Sequence, residues 1–427
     1  TGIIAEAAPS STLVLLVWIL GGLITLAGAL TFAELGAAMP EAGGPYVYLR
    51  KAYGPLSGFL FGWILFLVAM GGSIAALGVG FAEYFGYFFP SLATDRIAFS
   101  KQIVVSSHDF NYSLSYGQIV ALVAIILFSA FNYVGVGYGK SIQNFFTLTK
   151  IGTILIFIVL GFTAGRGTDV DFTFNPTGTS FSQLTIGVGA ALVAVSWAFD
   201  GWNNINYVAG EIKNPKRNLP FALIVGTLGI TVLYLLVNYI YLRALPIDEM
   251  KGVVRIAEKA TSALFGRTGG SFLSAAVMIS IIGALNGSIF VGARVYYAMA
   301  KDKLFFERVG QAHPRFHTPG FAIIVQAIWA CLLAMTGTFE QLFTYVIFIS
   351  LVFWIATTAA VFKLRKKFPD LQRPYKTWGY PVTPILFIVA ASGIVISTLI
   401  ARPLESFAGI GITMIGIPVY YYWKKRG

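Results

Sequence analysis

Cysteine, histidine and charged residues are all scarce in this 427-residue chain. It has one cysteine, three histidines and only 11% charged residues. One cysteine cannot form an internal disulfide, and Cys331, which lies in an apolar run, is interpreted as a buried hydrophobic side chain. All three histidines fall in predicted loops, and no Ser/His/Asp or Cys/His grouping is present. We therefore predict a protein that is not an enzyme, with no catalytic residues, no metal site and no cofactor.

Apolar residues are abundant instead. They make up 57% of the chain, and the mean hydropathy is +0.76. Runs of about 20 apolar residues can cross a hydrocarbon layer roughly 30 Å thick. Eleven such runs lie near 11–34, 55–89, 117–135, 143–163, 182–209, 219–242, 271–299, 320–338, 341–362, 381–401 and 404–423. The pattern predicts an all-α polytopic membrane protein with one transmembrane domain, because barrel strands would alternate over about ten residues.

The positive charge follows the loops. The net charge is +12, and alternate connections together with the tail WKKRG hold 19 of the 30 Lys and Arg residues. This asymmetry predicts that these connections and the C-terminus are cytoplasmic, in a cytoplasmic or inner cell membrane. It argues against a nucleic-acid partner, which would need a basic stripe. The outer loop 90–116 has no cysteine, so no disulfide-linked accessory subunit is expected.

The beginning of the chain indicates an interrupted first helix. A cytoplasmic loop at 36–54 places the start of the first full span, near Ser10, on the outer side. We interpret 1–8 as the outer half of a broken helix whose inner half is absent from this sequence, which gives twelve helices in total. The alternative is a short outer leader in an eleven-span protein.

The stretch SWAFDGWNN, beginning at Ser196, places Asp200 inside an apolar run. An ionisable side chain at membrane depth costs roughly 2.5–3.5 kcal/mol on insertion scales, so it requires a partner, a cavity or a ligand. Gly201 and the following asparagines weaken helix propensity and predict an interruption. Broken helices of this kind bind substrates in transporters. The alternative is that Asp200 only caps the second half-helix.

Lys150 is the second buried charge, about 10 Å of helix rise from the cytoplasmic end of its span. It could reach the interface with its long side chain, or it could be a fixed ammonium that replaces a coupling sodium ion. Small residues are frequent at 70–80 (MGGSIAALGVG) and 281–300. These stretches are interpreted as possible walls of the site, or as ordinary close helix packing.

Three long motifs resemble those of a known family. They are TFAELGAAMPEAGGPYVYLRKAYGPLSGFLFGW (31–63), WAFDGWNNINYVAGEIKNPKRNLP (197–220) and GARVYYAMAKDKLFFERVGQAHPRFHTP (292–319). Their order resembles the amino acid–polyamine–organocation (APC) superfamily, L-type amino acid transporter (LAT) branch. The resemblance implies a LeuT-like fold of two inverted five-helix repeats plus two extra helices, with helices 1 and 6 broken. It assigns 9–163 to helices 2–5, 182–362 to helices 6–10 and 381–423 to helices 11–12.

The resemblance also implies roles for individual residues. Trp197 matches an aromatic gate, and Asn203 opens the second half of helix 6. Lys150 matches a helix 5 lysine that occupies the sodium position in sodium-independent members, and Ser350 matches a pocket position on helix 10. The unwound segment whose carbonyls would take the substrate ammonium comprises Ala198, Phe199, Asp200 and Gly201.

These expectations combine into one predicted function. The chain would be a sodium-independent transporter that exchanges small neutral L-amino acids by alternating access. One alternative is a proton-coupled uptake permease of the same fold, in which Lys150 or Asp200 titrates. Another is a membrane sensor that binds an amino acid without moving it. The predicted partners are the amino acid substrate and the lipid bilayer.

Overall fold

The computed structural model describes residues 1–8, 10–105, 108–135, 139–163, 167–172, 181–336 and 339–426. The α-helices are α1 Gly2–Ala7, α2 Ser11–Ala38, α3 Pro45–Tyr53, α4 Pro55–Ile64, α5 Met70–Phe88, α6 Tyr116–Val134, α7 Gly139–Thr163, α8 Phe181–Phe199, α9 Pro215–Ala244, α10 Ile247–Met250, α11 Ile256–Lys301, α12 Gly320–Thr336, α13 Phe339–Lys367, α14 Val382–Ala401 and α15 Pro403–Arg426. A π-helical turn, Leu65–Ala69, joins α4 to α5, and the 3-10 helices are Pro90–Leu92, Asn204–Glu211 and Glu307–Gly310.

Length and composition mark most of the long helices as membrane spans. Among the described residues, ten helical segments are long and apolar enough to cross a bilayer, and α12 is a shorter apolar helix. The predicted polytopic all-α fold is confirmed. The continuous segment Pro55–Phe88 contains α4, the π-helical turn and α5.

The connection between α5 and α6 has a structure that the sequence did not predict. Strand β1 (Ile97–Val105) pairs antiparallel with β2 (His108–Ser115), from Ile97 opposite Ser115 to Val105 opposite His108. Ile97 and Phe99 at the start of β1 are exposed. Their apolar side chains therefore do not give the alternation of buried and solvated residues that marks a half-buried strand.

The helices pack in two groups that meet around the interrupted helix. α2 lies along α9, and α8 packs against α1, α2 and α14. On the other side, α5 packs against α6, α11, α12 and α13, and α7 packs against α11. α8 also contacts α13. The end of α8 therefore lies between these groups, where a relative movement of the groups would change its surroundings.

A polar cluster ties the short helix α3 to the end of α11. The Tyr46 hydroxyl donates to Asp302 Oδ2 at 2.6 Å, and Arg50 forms an ion pair with the same carboxylate. Tyr46 is completely buried. Burial, together with the hydrogen bond to Asp302, raises the pKa of the phenol well above its usual range. The hydroxyl therefore stays protonated and remains a donor at physiological pH.

Candidate substrate site

The interruption predicted in the apolar run 182–209 is present in the structure. α8 ends at Phe199, a turn covers 200–203, and a 3-10 helix begins at Asn204. Gly201 has φ +92, a value that a residue without a Cβ adopts without steric cost. The turn at this depth leaves backbone polar groups outside a regular helix, which the bilayer tolerates only where they line a cavity or find partners.

Most carbonyl oxygens at the break have partners. Those of Trp197, Phe199 and Gly201 each accept a hydrogen bond from the amide three residues further on, at 3.0, 3.1 and 3.0 Å. These bonds make a tight run of turns that replaces the regular helix. Two of the four carbonyls predicted to hold a substrate ammonium, those of Phe199 and Gly201, are therefore already bonded within the turn.

The other two predicted carbonyls, those of Ala198 and Asp200, differ in their hydrogen bonding. The Ala198 carbonyl accepts a hydrogen bond from the Tyr234 hydroxyl of α9, at 2.7 Å. Among the described residues, no donor is bonded to the Asp200 carbonyl. Asp200 also lines a cavity next to the break. Within this segment, its carbonyl is therefore the acceptor best placed to receive a new donor.

The cavity at the break is small and lies between four spans. Its free volume is about 30 Å³, whereas a protein cavity that binds benzene measures roughly 150 Å³. An amino acid is several times larger, so the walls must separate before one can enter. The lining residues are Phe61, Ile64, Leu65, Ala69, Met70, Ser73, Asp200, Asn204, Tyr207, Ser288, Ile349, Ser350, Phe353 and Trp354.

The Asp200 carboxylate has few bonding partners for a charge at membrane depth. Ser73 on α5 donates to Asp200 Oδ2 at 3.2 Å, and the backbone amide of Gly201 also donates to the carboxylate. Both donors are neutral, and among the described residues no cation forms an ion pair with Asp200. The carboxylate keeps lone pairs for a further donor.

The π-helical turn forms part of the same wall. It lies between α4 and α5, and Leu65 and Ala69 line the cavity. Donors from other helices reach carbonyls of this turn. Trp329 Nε1 donates to the Leu67 carbonyl at 2.8 Å, and the Tyr296 hydroxyl donates at 3.4 Å to the Leu65 carbonyl, which also accepts the Met70 amide. π-Helical turns occur frequently at functional sites.

The other residues predicted for the site are placed in different environments. Ser350 is 8% exposed and lines the cavity. Phe199 packs against the rings of Trp18 and Tyr234 and lies outside the lining. Trp197 is half-buried and also outside the lining.

Asn203 lies at the predicted position in the chain, but its neighbour Asn204 is the asparagine that lines the cavity. Asn203 precedes the 3-10 helix as predicted, but its side chain is 1% exposed and its Nδ2 has no hydrogen-bond partner among the described residues. Asn204 and Tyr207 line the cavity instead. The sequence shows adjacent asparagines, but the backbone geometry of the turn decides which one faces the site.

Ser73 and Ser288 are cavity residues that the sequence analysis did not assign. Ser73 lies in the glycine- and alanine-rich stretch 70–80 and Ser288 in the stretch 281–300. Both stretches were interpreted as possible walls of the site, so the signal was present at the level of the helix. Nothing local distinguishes a serine that faces the cavity from one that packs between helices.

Lys150 lies on α7, away from the cavity lining. Its side chain is half-buried, and no hydrogen bond or ion pair joins it to another described residue. One turn earlier on α7, Phe146 packs against Gly283 of α11. The approach is so close that a Cβ added to this glycine would lie 2.9 Å from the Phe146 Cβ. The structure therefore places Lys150 on the helix that packs against α11. Its functional role remains a prediction.

Within the described part of the chain, no three His, Cys, Asp or Glu side chains are grouped as metal ligands. Cys331 lies in α12 and is half-buried. The prediction that there is no disulfide-linked subunit stays a prediction.

An interrupted membrane helix beside a small polar cavity defines a class of protein, the membrane transporters with discontinuous helices. Comparison with known sequences gives the family. The family model described as "Amino acid permease" matches residues 1–420. The chain belongs to this family, in the LAT branch of the APC superfamily.

Individual relatives agree with this assignment. The chain is 33% identical to the serine/threonine exchanger SteT of Bacillus subtilis, over all of this chain and 92% of that protein. It is 28% identical to the mouse large neutral amino acids transporter small subunit 2, covering 99% of this chain and 77% of the relative. The human b(0,+)-type amino acid transporter 1 is 29% identical, over 96% of this chain and 80% of that protein.

Proposed function

We propose that this protein is a sodium-independent exchanger of small neutral L-amino acids in the cytoplasmic membrane, and that it works by alternating access. The observation that carries the proposal is the break at 200–203, where Asp200, whose carbonyl has no donor among the described residues, lines a small cavity with serine hydroxyls. A carbonyl oxygen suits an ammonium group, and hydroxyls suit a small polar substrate. The full-length similarity to a serine/threonine exchanger supports the same substrate class.

The small cavity supports alternating access. Its volume of about 30 Å³ is far below that of a cavity that binds benzene, roughly 150 Å³. Substrate entry therefore requires α8 and its partners to move relative to α5 and α13. The short helix α1, which packs against α8, serves in this proposal as the outer half of helix 1.

Lys150 replaces a coupling sodium ion in this proposal. A half-buried ammonium without an ion-pair partner among the described residues supplies a fixed positive charge between helices. A fixed charge needs no ion gradient, so transport would be driven by exchange.

The alternative is a proton-coupled permease of the same fold. The few partners of Asp200 and Lys150 favour it as the second candidate, since either group could bind or release a proton during the cycle.

Flux measurements test the proposal and its rivals. The full-length protein in liposomes takes up labelled alanine and serine, with and without unlabelled alanine inside. We expect strong stimulation by internal alanine, no change when sodium is replaced by choline, and no effect of a proton ionophore. Equal flux into empty vesicles that rises with an imposed proton gradient would establish the permease. Saturable binding with no flux would establish a sensor.

A further inference from the structure

A pocket with a basic lining opens at the end of the helix bundle where α9 begins and α13 ends. Its volume is about 600 Å³, within the range of roughly 300–1,000 Å³ that is usual for ligand-binding clefts. Lys216 lines it from the first turn of α9, and Arg373 and Lys376 line it from the connection between α13 and α14. Among the described residues, no acidic side chain belongs to the lining. The charge of the lining therefore suits an anion.

The three cations of the pocket differ in their bonding. The Arg373 guanidinium donates to four backbone carbonyls of the stretch 364–371, at 2.9 to 3.2 Å, and approaches Glu34 at 3.5 Å. Lys216 and Lys376 are exposed, and no ion pair joins either of them to another described residue. Arg373 therefore fixes the connection against α2, whereas the two lysines can bind a ligand.

The start of α9 adds to the positive potential of the pocket. Its first turn contains Lys216 and Arg217 and no acidic residue, and its N-cap residue, Asn214, makes no capping hydrogen bond with its side chain. A helix N-terminus carries the positive end of the helix dipole and favours negative charge. The connection between α13 and α14 has one acidic residue, Asp370, which is exposed and lies outside the lining. A bound anion would compensate both the lysines and the dipole.

Exposed apolar side chains follow the pocket on both helices. Phe221 and Val225 are exposed on α9, and Val382 and Leu386 are exposed on α14. Both helices are long and apolar enough to cross a membrane, so these side chains would contact lipid chains. Trp378, two residues after Lys376, is 77% exposed, and tryptophan is enriched at the membrane–water interface. The pocket therefore lies at the level of the lipid headgroups.

We propose that this pocket binds the phosphate headgroup of an anionic membrane lipid. Lys216 and Lys376 bind the phosphate, and the acyl chains lie along the exposed apolar faces of α9 and α14. A soluble phosphate compound could use the same lysines, but it would gain nothing from the apolar faces. Both segments belong to the connections that the charge distribution predicts to be cytoplasmic, and basic clusters on that side of a membrane are typical sites for anionic lipids. The inference is independent of the proposed function.

The test measures lipid binding to the full-length protein in a neutral detergent. Dioleoyl phosphatidylglycerol is the anionic probe, dioleoyl phosphatidylcholine has the same chains without net charge, and glycerol phosphate has the phosphate without chains. Native mass spectrometry during a titration gives the apparent Kd of the first bound lipid. The double variant Lys216→Gln/Lys376→Gln is compared with Lys424→Gln/Lys425→Gln, the matched control, which removes two exposed lysines at the end of α15. The melting temperature of each lipid-free protein is recorded.

We expect the Lys216→Gln/Lys376→Gln variant to bind phosphatidylglycerol about twentyfold more weakly than the parent, because each lysine near an anionic lipid contributes about fivefold in affinity. The Lys424→Gln/Lys425→Gln control should bind it like the parent. Phosphatidylcholine should bind equally to all three proteins, and an excess of glycerol phosphate should not displace phosphatidylglycerol from the parent.

Three outcomes would overturn the inference. Equal affinity of the Lys216→Gln/Lys376→Gln variant and the parent for phosphatidylglycerol would show that the headgroup binds elsewhere. An equal loss in the control would show a diffuse attraction to surface lysines. Displacement by glycerol phosphate would make the occupant a soluble phosphate compound. If the double variant melts below the parent, the two single variants decide, and each should raise the Kd about fivefold.

Discussion

Two carboxylates in spanning helices of this protein have opposite surroundings. Glu34, near the C-terminal end of α2, is 1% exposed. It accepts hydrogen bonds from Arg365 at 2.9 and 2.7 Å and from the Thr377 amide and hydroxyl at 2.7 Å each. Asp200 has only the Ser73 hydroxyl and a neighbouring amide. A carboxylate whose lone pairs are all used is structural, whereas one with lone pairs left can bind something that arrives later.

The position of each group in the fold agrees with this distinction. The Glu34 cluster ties α2 to α13 and to the connection before α14, and Arg373 approaches the same carboxylate at 3.5 Å. Asp200 lies between the two helix groups, at the cavity. We infer that the first site holds helices together through the transport cycle and that the second changes partners during it.

The largest expected effect is on stability, at Glu34. Glu34→Ala leaves the Arg365 guanidinium without its buried partner, and breaking such a pair costs about 3–5 kcal/mol. We expect a large fall in the melting temperature of the purified protein and little folded material after extraction. Glu41→Ala is the matched control, because Glu41 forms an exposed ion pair with Lys51, and exposed pairs contribute about 0–1 kcal/mol. Equal losses in both variants would contradict the structural role of Glu34.

Lys150→Ala should have the largest effect on transport. No ion pair with another described residue is broken, so the melting temperature should change little, but the charge on α7 that the proposed function requires is lost. We expect alanine exchange to fall at least tenfold in liposomes. Lys424→Ala, which removes an exposed lysine at the end of α15, should exchange like the parent. A Lys150→Ala variant with full activity would show that the lysine merely reaches for the membrane interface.

Asp200→Asn should change stability less than Glu34→Gln does. The amide oxygen can still accept the Ser73 hydroxyl, and a buried charge with few partners is removed. We expect the melting temperature of Asp200→Asn to stay within a few degrees of the parent's, with a change in the KM for alanine of less than tenfold. Glu34→Gln, made in parallel, should melt well below it, because Arg365 loses its counter-charge. An Asp200→Asn variant that melts below Glu34→Gln would contradict the distinction between a structural Glu34 and an open Asp200.

The sequence predicted the features of the site that depend on local chemistry. The break follows from Asp200, Gly201 and the adjacent asparagines, which are poor helix formers in an otherwise apolar run. The apolar runs themselves predicted the polytopic fold. Features that depend on the register between distant helices were not predictable. Ser73 and Tyr234, for example, reach the break from other helices, and no periodicity in their own segments indicates a partner.

The π-helical turn was unpredictable for a different reason. The segment LFLVA at 65–69 is apolar throughout, and an ordinary α-helix would suit it equally well. Two donors from other helices, Trp329 of α12 and Tyr296 of α11, bond to carbonyls of this turn. Tertiary contacts therefore decide the local conformation, and a sequence pattern read segment by segment does not contain them.

Ser73→Ala should have the smallest effect on the KM for alanine, and it tests the contrast between Asp200 and Glu34 most directly. It removes the one side-chain hydrogen bond to Asp200 among the described residues, and a single hydrogen bond contributes about 0.5–1.5 kcal/mol. If the carboxylate is open to other donors, a water or the substrate replaces the hydroxyl, and we expect less than a threefold change in the KM for alanine at an unchanged melting temperature. Ser288→Ala, on the α11 wall of the cavity, is the matched control. A collapse of exchange in Ser73→Ala alone would mean that Asp200 depends on a fixed partner, as Glu34 does.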